Sequence, residues 1–448
     1  MNAARACPAI LIAAPASGQG KTTVTAAVAR LHTRAGRRVR AFKCGPDFLD
    51  PMWLELATGQ PVHNIDLWMT GEADVRARLH AAAEDADLII VEGVMGLFDG
   101  EPSAADLARR FGLPVLAVID ASAMAGTFGA LAFGLQNYRP GLPWAGVLAN
   151  RVAGDRHARM LEEALAGEEG QGPSPWLGAV MRDVAFALPE RHLGLTMASE
   201  LSDAMARLDA AADALAATPL GQLDAAGLQR WAVSFDAPLH AAPVAPLLAG
   251  KTVAVARDAA FCFLYQSNLD TLAALGARLE FFSPLANDPM PNCDAVWLPG
   301  GYPELHAPAL SAASRTQAGL LAHVQAGRPV WAECGGMMLL FEELVDAQDE
   351  PHAMWGLLPG RVSMQKRLAG LGPQQLTLDA GALRGHTFHY SRCETALEPV
   401  AQTVSARGAT AGSGEAVYQH GAVRASYFHA WMASSPQATA ALFLPGAL

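Results

Sequence analysis

The 448-residue sequence predicts two α/β domains: a parallel sheet covered on both faces over residues 1–235, and a second α/β domain over 251–448. Three observations carry that expectation. Short aliphatic runs alternate with alanine-rich helical stretches through the first half, the pattern of a parallel sheet flanked by helices. The segment Val233–Lys251, VSFDAPLHAAPVAPLLAGK, holds three prolines and no clear period, so it reads as a connection, with the linker set at 236–250. Beyond it the β/α alternation starts again.

The first-half strands are AILIAA, RVRAFK, DLIIVE, PVLAVI and WAGVLA. Between them, TTVTAAVARLHTRAG and AADLARRFG each end in the glycine that commonly stops a helix. The run after Arg5 is short and leads into a glycine–lysine turn, so it reads as a first strand and not a signal peptide. PVLAVIDASAMAGTFGALAFGL, from Pro114, carries Asp120, Gly126 and Gly129 and reads as strand then helix, not a membrane span. After the linker come TVAVAR, a helix near Leu264–Leu275, RLEFF, DAVWLPGG, a helix near Ser311–Gln325, and RPVWAECGG. The C-terminal part reads as β-rich, with a strand order the pattern does not give.

Apolar residues make up 51% of the chain and charged ones 17%, which excludes a disordered or fibrous protein. With 32 basic against 43 acidic residues the net charge is −11, which argues against a nucleic-acid partner. Six scattered cysteines with no CxxC pair read as reduced thiols of a cytoplasmic enzyme. Only four lysines occur, and two of them fall near glycines: Lys21 follows Gly20, and Lys43 stands two before Gly45.

AILIAA runs into PASGQGKTT and then a helix. This is the GK[ST] end of a P-loop: the backbone around Ser17, Gly18, Gln19 and Gly20 cradles phosphate oxygens, Lys21 reaches the β/γ-phosphates and the Thr22 hydroxyl binds Mg²⁺, with Thr23 following. Pro15 stands where the full pattern has its first glycine. Glu92 ends DLIIVE as a further Mg²⁺ ligand, and Asp99 follows in GLFDG. In FKCGPDFLDP, Lys43, Asp47 and Asp50 suit metal, γ-phosphate or substrate, while turn formation beside Pro46 and Pro51 also accounts for the two aspartates. Asn150 ends GVLAN, as a reader of the adenine edge or a helix cap.

RPVWAECGGMMLL is a strand, a sharp turn and a helix, which is the geometry of a nucleophile elbow with Cys334 as nucleophile. A thiol at a helix N-terminus is expected to have a lowered pKa. Its base is sought among the histidines: His429 in ASYFHAWM, with His386 and His389 in GHTFHYS as rivals. Gly300 and Gly301 in PGGYPELHA, with the Gly335 N–H, are the candidate oxyanion hole.

The second half resembles a class I (triad-type) glutamine amidotransferase domain, and the first half the dethiobiotin synthetase-like P-loop family. Together they resemble the cobyrinic acid (hydrogenobyrinic acid) a,c-diamide synthase family, through SGQGKTTVT, KCGPDFLDP, VEGVMGLFDG, LPERHLGL, LPGGYPELHA, AECGGM and GHTFHYS. The resemblance implies ATP-dependent amidation of the a and c carboxylates of a corrinoid macrocycle in cobalamin biosynthesis, with L-glutamine or ammonia as donor and Mg²⁺ as cofactor. It places Lys21 and Thr22 on ATP and Mg²⁺, Glu92 on Mg²⁺, Asn150 at the base, and Cys334 and His429 in the glutamine site. It turns Asp47, Glu190, Arg191 and His192 toward the macrocycle. A homodimer is left open.

Two departures from the family pattern stand out. Trp431 occupies the position, two after the histidine, where many triad amidotransferases carry glutamate, so the group orienting His429 is unassigned. Thr387 replaces a glutamate expected in the GHEFHYS-like motif. Cobyric acid synthase and nickel-sirohydrochlorin a,c-diamide synthase are the alternative enzymes. A MinD/ParA-like switch ATPase is disfavoured by Ala16, where such proteins carry a signature lysine, and by the Cys/His half. The chemistry implied is an acyl phosphate made with ATP, attacked by ammonia that Cys334 releases from glutamine and that travels a shielded path.

Overall fold

The structure, a computed structural model, describes residues 4–166, 174–191, 194–238, 244–406 and 414–446. The chain divides into two compact units, Met1–Ala241 and Ala242–Leu448.

The first unit is a parallel sheet of β1 (Arg5–Ala13), β2 (Val39–Cys44), β3 (His63–Ile65), β4 (Leu88–Glu92), β5 (Val115–Asp120), β6 (Trp144–Val152) and β7 (Trp176–Met181). Their order is β3-β2-β4-β1-β5-β6-β7, every neighbouring pair parallel. All five strands expected in this half are present. They are aliphatic throughout because alternate residues feed separate cores: Leu11, Val91 and Ile119 lie on one face, Ile12, Ile90 and Val118 on the other. Helices α1 (Lys21–Arg34), α2 (Leu49–Thr58) and α3 (Ala204–Ala216) contribute to the second core. The carboxyl ends of β1, β2, β4, β5 and β6 therefore face one rim, where parallel α/β sheets bind ligands.

Val233–Phe235, read as the start of the connection, belongs to β8 (Ala232–Phe235), which pairs antiparallel with the start of β1. At the far end Leu248 is fully buried among Val253, Leu272 and Leu275, so that end belongs to the second unit's core.

The second unit holds a mixed sheet of β9 (Thr252–Ala256), β10 (Arg278–Phe282), β11 (Ala295–Leu298), β12 (Val330–Glu333), β15 (Ala401–Gln402), β16 (Ala416–His420) and β17 (Val423–Ser426). It runs β10-β9-β11-β12-β17-β16-β15, parallel as far as β17 and antiparallel beyond. An antiparallel sheet joins β13 (Gly370–Leu378), β14 (Gly381–His389) and β18 (His429–Trp431) to Val404–Ser405. Helix α4 (Gly335–Leu340) follows β12 directly. Among the described residues no helix is long and apolar enough to cross a membrane.

Candidate active site

The β1–α1 turn has the backbone of a phosphate cradle. Gly18 and Gly20 sit at φ 78° and 87°, and a side chain on Gly20 would place its Cβ 2.2 Å from Asn150 Nδ2. No acidic residue occupies the first turn of α1, which leaves its N-terminal dipole for an anion. Lys21 folds back over the loop and donates from Nζ to Ala16 O at 3.1 Å. Burial, then the charge on Lys43, holds its pKa below the ordinary lysine value.

Two neighbouring strand ends pin the loop. Asn150 Nδ2 donates to Gln19 O at 2.9 Å, Asp120 N donates to Gln19 Oε1 at 2.9 Å, and Arg151 Nη1 donates to Gly18 O at 2.9 Å and Asp120 Oδ2 at 2.7 Å. Arg151 takes a left-handed φ of 57°. Neither Asp120 nor Arg151 has a role at this loop that the sequence pattern gives, because their pairing depends on β5 lying beside β6. Asn150, expected at the base of the nucleotide, supports the loop backbone through its amide.

Behind the loop lies a buried charge cluster. Thr22 Oγ1 donates to Glu92 Oε1 at 2.7 Å; Lys43 Nζ donates to Asp50 Oδ2 at 2.5 Å, Glu92 Oε1 at 3.0 Å and Gly93 O at 3.2 Å. Lys43, expected to meet substrate, is only 2% exposed, and in this structure its ammonium is held by these partners at the sheet end. Burial lowers the Lys43 pKa, but the Asp50, Glu92 and Asp47 carboxylates outweigh it and hold the group well above its ordinary value. Burial raises Glu92 to about 7 despite Lys43. Asp47 Oδ1 accepts from the Leu49 and Asp50 N–H groups at 2.8 and 3.0 Å, so this oxygen caps α2, as turn chemistry allows. Asp99 Oδ2 accepts from Gly96 N at 2.8 Å in the loop after β4. Glu190 and Arg191 form a two-residue strand against Gly194–Leu195, and His192 lies outside the described residues.

No group of three or more His, Cys, Asp or Glu side chains among the described residues is arranged to hold a metal. The donor set still suits Mg²⁺, which commonly takes one or two carboxylates and completes its shell with phosphate and water. Thr22 Oγ1 and Glu92 meet at the foot of the cradle, and Glu92 Oε2 is buried with no hydrogen-bond partner among the described residues.

In the second unit, Cys334 sits between β12 and α4 at φ 45°, ψ −106°, a strained elbow that a non-glycine residue rarely adopts. Its N–H donates to Ser426 O at 2.8 Å, and Met338 N donates to its carbonyl at 2.9 Å. The expectation of a lowered thiol pKa is not met. Burial, then the charge of Glu304, pushes the thiol well above its ordinary range, and the neighbouring Gly335 N–H offsets only part of this. The thiol at rest is protonated and needs a base.

The Gly300–Gly301 turn touches both parts of this site. A Cβ on Gly300 would lie 2.4 Å from His429 Cε1, and one on Gly335 would lie 2.9 Å from Gly301 N. His429 is buried on β18 with its ring stacked on His386 at 5.0 Å and 17°. Burial, then His386 and His389, holds its pKa well below the ordinary value, so the ring is neutral. His386 contacts the Tyr265 hydroxyl through Nδ1 at 3.2 Å. His389 is engaged at both nitrogens, Nδ1 with Ser391 O at 2.8 Å and Nε2 with Glu415 Oε1 at 3.2 Å, and lies flat on Tyr427 at 3.7 Å. Thr387 donates to the same Glu415 oxygen at 2.9 Å.

Two domain families match the chain: a CobQ/CobB/MinD/ParA nucleotide binding domain at residues 10–195 and a CobB/CobQ-like glutamine amidotransferase domain at 252–437. Among similar proteins, a hydrogenobyrinate a,c-diamide synthase of Stutzerimonas stutzeri is 57% identical over 98% of this chain and 99% of its own length. The chain belongs to the a,c-diamide synthase family. A hydrogenobyrinate a,c-diamide synthase of Pseudomonas aeruginosa is 54% identical over 98% of both chains. A cobyrinate a,c-diamide synthase of Herminiimonas arsenicoxydans is 50% identical over 97% of this chain and 96% of its own. Membership along nearly the whole chain leaves no place for a switch ATPase, whose likeness is confined to the first half.

Proposed function

We propose that this protein is a cytoplasmic ligase that amidates the a and c carboxylates of a corrinoid macrocycle, hydrogenobyrinic or cobyrinic acid, with ATP and glutamine. The observation that carries the reading is the strained Cys334 elbow on the same chain as a P-loop whose Thr22 meets Glu92. A net charge of −11 supports a reaction without nucleic acid.

A carboxylate is a poor electrophile, and phosphorylation by ATP turns it into an acyl phosphate that ammonia attacks. Ser17 to Thr23 hold the triphosphate, and Lys21 swings from Ala16 O onto the β/γ-phosphates. Thr22 and Glu92 would hold Mg²⁺, which when bound supplies charge neutralisation at the phosphates. Lys43 keeps Glu92 and Asp50 in place from behind, and Arg151 with Asp120 keeps the loop in its binding shape. Asp99, Glu190, Arg191 and His192 are assigned to the macrocycle side. In the second unit, Cys334 attacks the glutamine side-chain amide, His429 moves the proton, and the Gly301 and Gly335 N–H groups receive the developing oxyanion.

Mass spectrometry of products formed from each macrocycle, metal-free, cobalt or nickel, tests this. Replacement of two carboxylate oxygens by nitrogen on hydrogenobyrinic or cobyrinic acid is expected. Four amidations, or turnover of the nickel compound alone, would overturn the substrate assignment.

A further inference from the structure

An imidazole that accepts a thiol proton at Nε2 must carry its own proton at Nδ1, aimed at an acceptor. The residue two positions along β18 on the same face is Trp431, whose fully buried ring lies edge-on to Tyr265 at 5.0 Å and supplies no acceptor. Glu333 offers one. It ends β12 immediately before Cys334, is 2% exposed, and holds Oε2 3.9 Å from His429 Nδ1. Its Oε1 accepts from Trp331 Nε1 at 2.7 Å and from Ala430 N at 3.2 Å. One carboxylate thus ties the strand that delivers the thiol to the strand that delivers the ring.

We propose that Glu333 is the positioning residue of the glutamine site: its carboxylate, 3.9 Å from His429 Nδ1 in the resting enzyme, closes onto Nδ1–H when glutamine binds, so that Nε2 receives the Cys334 proton. The proposal rests on the reading of Cys334 and His429 given above. The Sγ proton passes to Nε2 as sulfur bonds to the amide carbon, leaving an imidazolium whose Nδ1–H faces the Glu333 carboxylate. The Nε2 proton then leaves with the amide nitrogen as the C–N bond breaks, giving ammonia, a thioester and a neutral ring. Water cleaves the thioester to glutamate and restores the thiol.

Among the described residues, the titratable groups that act on His429 are Glu333, His386 and His389, and those that act on or are influenced by Cys334 are Glu304, Glu333, Glu415 and Tyr427. Burial lowers His386 to about 3 and raises Glu304 to about 7 and Glu333 to about 8. Below that last value Glu333 is a neutral acid, and on closing onto Nδ1 it would donate there, fixing the proton on Nε2 and blocking transfer from Cys334. Above it the carboxylate selects the productive tautomer. Glutamate release should therefore rise with pH between about 7 and 9.

The test measures glutamate released from glutamine by the full chain across this range, for wild type, Glu333→Gln and Glu333→Asp. Glu333→Gln is expected to lower kcat about 100-fold with KM within about threefold, and to abolish the rise with pH. Glu333→Asp should recover part of the rate, and ammonia-driven amidation should be unchanged in both. A Glu333→Gln enzyme with kcat within about threefold of wild type and the same pH rise would overturn the proposal. If Glu333→Gln does not fold, a flat wild-type profile or a Glu333→Asp profile identical to wild type does the same. A wild type that releases no glutamate at any pH would instead overturn the glutamine site itself.

Discussion

Replacing Lys43 by methionine removes one buried charge and keeps nearly the same side-chain length. In the wild type the ammonium, 2% exposed, bridges Asp50 at 2.5 Å and Glu92 at 3.0 Å. Removing one partner of a buried ion pair costs about 3–5 kcal/mol, because the remaining carboxylates stay desolvated without a counter-charge. With an m-value of about 2–3 kcal/mol per M urea, the first unit's unfolding midpoint should fall by about 1–2.5 M. The sign of the pH dependence follows from Glu92, whose folded pKa is raised by burial from 4.5 to about 7. A carboxyl with a raised folded pKa opposes folding once ionised, so its cost is absent below the unfolded value and complete above the folded one. Without Lys43 the folded value rises further. The gap between wild type and variant should therefore widen from pH ~5 to pH ~8. Urea titrations followed by circular dichroism at both pH values measure this. A midpoint unchanged by the substitution, or a gap that widens on acidification, would refute the reasoning.

Three further outcomes are expected. Cys334→Ala should abolish glutamine-dependent amidation and leave the ammonia-dependent reaction, with full glutamine use by the variant counting against the nucleophile. Lys21→Ala should abolish both, measured as ADP release, because both need the activated carboxylate. Gly300→Ala puts a Cβ 2.4 Å from His429 Cε1, so glutamate release should fall at least about tenfold while ammonia-driven turnover persists.

The α/β halves were legible because parallel strands buried on both faces write continuous aliphatic runs, and because the P-loop and the elbow each follow such a strand directly. The places of Thr22, Glu92 and Cys334 at element ends were legible for that reason, because local geometry sets them. The clamp of Arg151 on Asp120 and Gly18 was not, since β5, β6 and the loop meet only in the folded sheet. Nothing in AECGG gives Glu333 a role, because its partner Ala430 is 97 residues away. Val233–Phe235 looked like connection because only its pairing with Arg5–Cys7 makes it a strand. The thiol pKa went the other way because burial beside Glu304 outweighs one N–H at the start of a six-residue helix.

The central claim is that one chain couples glutamine hydrolysis to ATP-driven amidation. It is tested most directly by supplying glutamine labelled with ¹⁵N at the side-chain amide, together with ATP and hydrogenobyrinic or cobyrinic acid. Label in both new amides, dependent on ATP and lost in Cys334→Ala, is the expected result. Unlabelled product, or labelled product formed without ATP, would contradict it.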